Sequence, residues 1–268
     1  MERGWWSVLG TVSYEVAWAL QRALAEARAA RAIPDTLLLL EHPHVFTLGR
    51  SARPEHVLWD EAERARRGVA LVVTDRGGDV TYHGPGQVVG YLILDLHARG
   101  LDKVAFVRRI EQMLIETLAR FGIAAGTLPG APGVWVQPDA MSRCAWCPPA
   151  LRRAPAKIAA IGARVDARGI TTHGFALNVC PDLTYFTGII PCGIADKGVV
   201  SMAMFLGEPE DEAARSRLMA SVQEELARRF GEVFALEPER VDPARLWSLA
   251  DLSAEPPRNA KFISASMS

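Results

Sequence analysis

Between Tyr14 and Arg31 the apolar side chains of Ala17, Leu20, Leu24 and Ala27 recur at steps of three and four, which predicts an amphipathic helix with Ser13 as its N-cap. The pattern then changes. TLLLLEHP, residues 36 to 43, and the HVFTLG that follows are short apolar runs bounded by Pro43 and Gly49, and predict strands. A third strand, VALVVT at 69 to 74, leads into DRGGDVTYHGPGQVVGYLILDL, in which two glycine-rich turns precede a run that reads as a buried strand. Val107, Ile110, Leu114, Leu118 and Phe121 restore the helical period, so a second helix is expected from Lys103 to Phe121, ended by Gly122. Downstream, GVWVQ (133 to 137), KIAAIGARV (157 to 165), ITTHGFALNV (170 to 179) and GVVSMAMF (198 to 205) predict strands. Ala214, Leu218, Val222 and Leu226 then mark a long helix.

Strands and helices mix without strict alternation, which points to an α/β (α+β) architecture with a mixed, largely antiparallel sheet packed by helices. Residues 1 to 250 read as one domain. Within it PDAMSRCAWCPPALRRAPA, residues 138 to 156, has no period and reads as a mobile surface loop, and residues 251 to 268 as a flexible tail.

Of the 268 residues 49% are hydrophobic and 23% charged, the balance of a globular protein. A formal net charge of -1 argues against general attraction to nucleic acid or to a membrane surface, and neither is expected as a partner. MERGWWSVLGTVSYE lacks the basic and apolar segments of a secretory signal, and no apolar run approaches the roughly 20 residues that span a bilayer. Four cysteines are too sparse for a disulfide scaffold and fit a reducing compartment, so a cytoplasmic location is expected.

In RGGDVTYHGPGQ, Gly77 and Gly78 permit close backbone approach, and Gly84 and Gly86 flank Pro85 in a tight turn. The spacing is neither a dinucleotide-binding nor a phosphate-loop pattern, so a plain hairpin turn and a ligand loop both stay open. His83 and His173 each precede a glycine at a strand, as structural histidines or as groups that position a substrate oxygen or tune a nucleophile. Cys192, between Pro191 and Gly193, is a small buried hydrophobe or a nucleophile on a rigid turn. Lys157 opens an otherwise apolar strand, and either snorkels to water or, if desolvated, serves a thiol as base or counter-charge. Cys144 and Cys147 form a C-x-x-C pair without the further ligands of a zinc site, and Pro148 and Pro149 block the helix a redox motif would open, so the pair reads as incidental and no metal site is expected.

Together and in order, RGGDVTYHGPGQVVGYLILDL, KIAAIG, HGFALNV and PCGI resemble the octanoyltransferases of lipoate biosynthesis, which share the fold of biotin and lipoate protein ligases. Weaker similarity runs from about residue 36 to about residue 230 outside the 138 to 156 loop. The resemblance implies a hydrophobic acyl tunnel, an acyl-thioester nucleophile at Cys192 and a partner lysine at Lys157. Substrate contacts fall, by the same resemblance, on Arg76, Gly77, Gly78, Asp79, Val80, Thr81, Tyr82 and His83, on Ala160, Ile161 and Gly162, and on Gly174, Phe175 and Ala176. The implied donor is octanoyl-acyl carrier protein. The implied acceptors are lipoyl domains of 2-oxoacid dehydrogenase complexes and the glycine cleavage H protein. No ATP and no metal is implied as a cofactor, because exchange between thioesters is nearly balanced and amide formation runs downhill. Backbone amides near Gly77, Gly78 or Gly193 are the expected oxyanion donors. Arg50, Arg53 and Arg76 are candidates for meeting the acidic carrier. Two features depart from the family pattern: the long CAWC loop, and Cys180 where a polar residue is more usual. An ATP-dependent ligase would have no need of Cys192, a non-catalytic acyl-binding module would need neither it nor Lys157, and a zinc-binding regulator would rest on Cys144 and Cys147 alone.

Overall fold

A computed structural model describes residues 2–142, 148–190 and 197–251. The chain runs through β1 (Glu2–Thr11), α1 (Tyr14–Ala29), β2 (Asp35–Glu41), β3 (Val45–Leu48), α2 (Glu61–Arg66), β4 (Ala70–Val73), β5 (Val80–His83), β6 (Gln87–Ile93) and α3 (Lys103–Arg120). It continues with β7 (Gly126–Leu128), β8 (Ala131–Val136), α4 (Pro138–Ser142), β9 (Ala156–Val165), β10 (Thr171–Asn178), α5 (Ala203–Leu206), α6 (Glu212–Phe234), β11 (Leu236–Arg240) and α7 (Pro243–Leu249). The described strands form an eight-stranded sheet, β11-β1-β2-β6-β10-β9-β8-β7, and a three-stranded one, β4-β3-β5. The pairs β2·β6, β6·β10, β10·β9, β9·β8 and β8·β7 are antiparallel, while β1 is parallel to both its neighbours.

The continuous apolar runs of the sequence belong to strands covered on both faces, where period-two alternation disappears. Leu37 and Leu39 of β2 pack with Phe175 and Leu177 of β10 under α3 and α6. Leu38 and Leu40 point the other way, with Val89 and Tyr91, against Ala17, Leu20 and Leu24 of α1. Each buried leucine contributes about 2 kcal/mol. The smaller sheet holds its own cluster, Phe46, Val80, Tyr82 and Ile189. Asp102 and Asp211 cap α3 and α6 by accepting the Ala105 and Ala214 amides. Ser13 occupies the N-cap of α1 without a side-chain capping bond. Among the described residues no helix is long and apolar enough to cross a membrane.

Several expectations need correction. GVVSMAMF is not a strand: Val199 makes one bridge to Lys157, and the amides of Met202 and Ala203 then bond the carbonyls of Asn178 and Val179, turning the chain into α5. An apolar run this short does not distinguish strand from buried turn and helix. Of the 138 to 156 loop, the described part carries α4 and a 3-10 turn at Pro149–Arg153, and Met141 lies in the main core. Pro138 opens α4, its fixed φ suited to a first helical position. Cys144 and Cys147 lie outside the described residues. The turn at Gly84, Pro85 and Gly86 is not a hairpin, because β5 belongs to the small sheet and β6 to the large one. It is a corner between two sheets, and the cleft opens there.

Candidate functional site

The corner is tight for identifiable reasons. A Cβ on Gly84 would stand 1.9 Å from the Tyr82 hydroxyl, and one on Gly86, where φ is +89°, would stand 2.4 Å from the Cys180 carbonyl oxygen. Ahead of it, Arg76 is buried and bonded inward: Nη2 donates to the Thr47 and Asp79 carbonyls, at 2.6 and 2.7 Å, and Nη1 to the Gly77 carbonyl at 2.9 Å. The amides of Arg50, Ser51 and Gly49 bond the carbonyls of Arg76, Gly78 and Asp79 in turn. Arg76 is therefore the clamp of the glycine loop and not part of a docking surface, whereas Arg50 and Arg53 are exposed.

A cleft lies between this loop and strands β6, β10 and β9. Its walls include Arg76, Gly78, Thr81 and His83, then Ala160, Ile161 and Gly162, then Gly174, Phe175 and Ala176, with Lys157. It is a narrow slot of about 480 Å³, open mouth included. Alternation along β5 turns Thr81 and His83 toward the slot and leaves Val80 and Tyr82 in the smaller core. Asp79 turns away as well, accepting from the Arg53 and Val80 amides and pairing with His56 at 2.5 Å. Gly77 donates its amide to the Ala163 carbonyl at 3.3 Å, so that group is already engaged. Cys192 and Gly193 lie outside the described residues.

Lys157 reaches the slot through an irregularity of pairing. Val134 pairs with Ala159 but Trp135 with Lys157, a slip of one residue. Strict alternation would set Lys157 on the face of Ala159, in the main core; the slip turns it to the face of Ala160 and Gly162. Its amide donates to the Gly198 carbonyl and its carbonyl accepts from Val200, so the chain just beyond the undescribed 191–196 segment is bonded directly to it.

The floor of the slot holds His83 and His173, the two histidines that the histidine-glycine steps singled out, together with Tyr14 and Tyr91, which sequence reasoning did not select; all four are buried. Nδ1 of His42 faces the Val12 carbonyl at 2.6 Å and must carry the proton there, which leaves Nε2 to accept from the Tyr91 hydroxyl at 2.7 Å. His173 donates from Nε2 to the Asp75 carboxylate at 2.8 Å, so Nδ1 accepts from the Tyr14 hydroxyl at 3.4 Å. His83 donates from Nδ1 to Gln87 Oε1 at 3.3 Å. Burial pushes His42 down to about 4 and His83 well below the ordinary imidazole value; it lowers His173 too, against the pull of the Asp75 carboxylate. Burial likewise lifts Tyr14 to about 12, the Arg76 charge working against it. Near neutral pH the floor is thus a set of neutral hydroxyls and imidazoles beneath mostly apolar walls, suited to an uncharged, elongated group.

Fold and slot together define a catalytic domain of the lipoyl protein ligase type. The family model for the lipoyl protein ligase A/B catalytic domain matches residues 13–230. The fold is similar to the bipartite lipoate protein ligase of Thermoplasma acidophilum, with a TM-score of 0.66 at 16% identity over 94% of this chain and 91% of that one. It is also similar to a lipoate-protein ligase A solved with bound ATP, with a TM-score of 0.64 at 17% identity over 94% of this chain and 93% of that one. In sequence the chain is 48% identical over 230 residues to the octanoyltransferase of Chloroflexus aurantiacus, covering 86% of this chain and 93% of the relative. It is 50% identical over 201 residues to that of Salinispora tropica, covering 75% and 84%. The chain belongs to the octanoyltransferases of this family, enzymes of octanoyl transfer in protein lipoylation.

Proposed function

We propose that the enzyme takes octanoyl from octanoyl-acyl carrier protein onto Cys192 as a thioester and passes it to a lysine of a lipoyl domain. In the first step the Cys192 thiolate adds to the donor's thioester carbonyl, the carbon–sulfur bond to the carrier breaks, and the carrier leaves as its thiolate, which takes up a proton. In the second the acceptor lysine's neutral amine adds to the acyl-enzyme, an amide forms, and the thiolate departs; the surplus ammonium proton passes to a base. Lys157 serves Cys192 as counter-charge or base. The acceptors are lipoyl domains of 2-oxoacid dehydrogenase complexes and the glycine cleavage H protein. Neither ATP nor a metal takes part, the enzyme works in the cytoplasm, and residues 1 to 250 act as one domain.

The observation that carries this reading is convergence on one slot. The sequence segments that resemble the family's site, from the glycine loop, β9 and β10, supply its walls, and Lys157 is turned into it by the register slip. An unbranched acyl chain suits so narrow a space, and each buried methylene adds about 0.8 kcal/mol. The test is the intact mass of the protein after brief incubation with octanoyl-acyl carrier protein and no ATP, for the wild type and Cys192→Ser. An octanoyl adduct mapped to Cys192, and discharged by a lipoyl domain, is the expected result. Transfer that needs ATP and free octanoate, or an adduct retained in Cys192→Ser, overturns it.

A further inference from the structure

We propose that Trp135 is a positioning residue for the reaction: its indole face holds the Lys157 ammonium at the slot. The inference rests on the role given to Lys157 above. Lys157 Nζ lies 4.7 Å from the centroid of the Trp135 ring. The ring is a fixed surface, because Trp135 is only 1% exposed and its Nε1–H donates to the Ala131 carbonyl at 2.9 Å. Rotating it would break that part-buried hydrogen bond. The two residues face each other at the register slip that turns Lys157 toward the slot, so one irregularity sets both the direction of the lysine and the seat of its head group.

The stem is guided too. Gly133, at φ +120°, passes beside it: a Cβ there would lie 3.5 and 3.7 Å from Lys157 Cε and Cδ, and 2.7 Å from the Ala159 carbonyl oxygen. The strained φ and the crowding against β9 restrict that position to glycine. With its backbone bonded to Gly198 and Val200, Lys157 is guided at the main chain, along the stem and at the ammonium.

An aromatic face differs from a carboxylate in the consequence that matters here. The quadrupole of tryptophan attracts a cation without neutralising it, so the ammonium keeps its positive charge. A carboxylate in the same place would compete with the thiolate for that charge. Leucine would fill the apolar volume without attracting the cation, and phenylalanine would keep a weaker version of the face.

The test compares Trp135→Phe and Trp135→Leu with the wild type in steady-state octanoyl transfer, together with thermal unfolding and the pH dependence of iodoacetamide alkylation of Cys192. Trp135→Leu is expected to lower kcat by about tenfold or more with KM within about twofold, and to displace the alkylation profile, while Trp135→Phe recovers most of the rate. Equal rates and unmoved profiles in both variants overturn the proposal, as does a loss of rate that only follows the loss of folded protein. If neither variant folds, the wild type decides: 13C-labelled Lys157 methylene protons shifted upfield by the indole ring current support the seat, and unshifted ones remove it. Lys157→Ala separates this proposal from its premise. Full activity in that variant removes the role of Lys157 altogether, whereas lost activity beside a neutral Trp135→Leu removes only the role of Trp135.

Discussion

The steps His83-Gly84 and His173-Gly174 each bring a histidine to one slot, yet the backbone solves a different problem at each. At the first, the chain must turn from the small sheet into the large one. Glycines are needed because Tyr82 and Cys180 leave no room for a Cβ, and the left-handed residue is Gly86. At the second, Gly174 is crowded by the Gly90 carbonyl oxygen, 2.2 Å from where its Cβ would stand, but the left-handed residue is His173 itself, at φ 59°. Its amide donates to Gln21 Oε1 at 2.6 Å and its ring is held by Asp75, so tertiary bonds sustain a conformation that the residue disfavours. One step turns the chain by leaving side chains out, and the other aims a side chain by tying it down.

The largest expected effect breaks the first step. Gly86→Ala adds a methyl group 2.4 Å from a carbonyl oxygen at φ +89°, and should cost about 3 kcal/mol or more in denaturant unfolding, with loss of octanoyl transfer as the corner shifts. Next, the two imidazoles should separate in acid. A histidine held in the neutral state by burial lets the unfolded chain take up protons first, so stability falls as pH drops from about 6.5 toward the folded value and levels off below it. For His42, at about 4, the same linkage amounts to about 3 kcal/mol across that window. His83→Gln should flatten the acid limb of a stability-against-pH curve more than His173→Gln, because the Asp75 carboxylate already offsets part of the burial cost at His173. An equal response would mean that Asp75 does not discriminate the two sites. The smallest effect isolates the backbone at the second step. Both His173→Ala and His173→Gly lose the ring, but the glycine variant should be more stable by about 1 kcal/mol because it accepts the left-handed φ. No difference between their unfolding midpoints would show that the chain relaxes once the ring is gone.

Much of this architecture is legible residue by residue. The periods of Leu20 and Leu24, and of Ile110, Leu114 and Leu118, locate α1 and α3, because a stripe at helical spacing must be buried somewhere. The family was legible from four short segments whose order is hard to meet by chance. Other features left no such trace. Trp5 of β1 sits among the residues of MERGWWSVLG, which lack clear alternation, and the strand exists because β2 and β11 flank it. GVVSMAMF looked like a strand since its apolar content is the same in a bridge, a turn and a short helix.

Local composition and spacing thus determined which segments become helices or buried strands, which glycines bend freely, and which chemical groups the chain can offer. Tertiary structure alone decided where those groups point: that Arg76 clamps a loop instead of facing a partner, that Tyr14 and Tyr91 reach the slot floor, and that Lys157 turns from the core toward Trp135 and the slot. The physical reason is range. A helical or strand period is set by neighbours a few residues apart, whereas the face a strand residue occupies depends on register with a distant strand, and a slip of one residue reverses it.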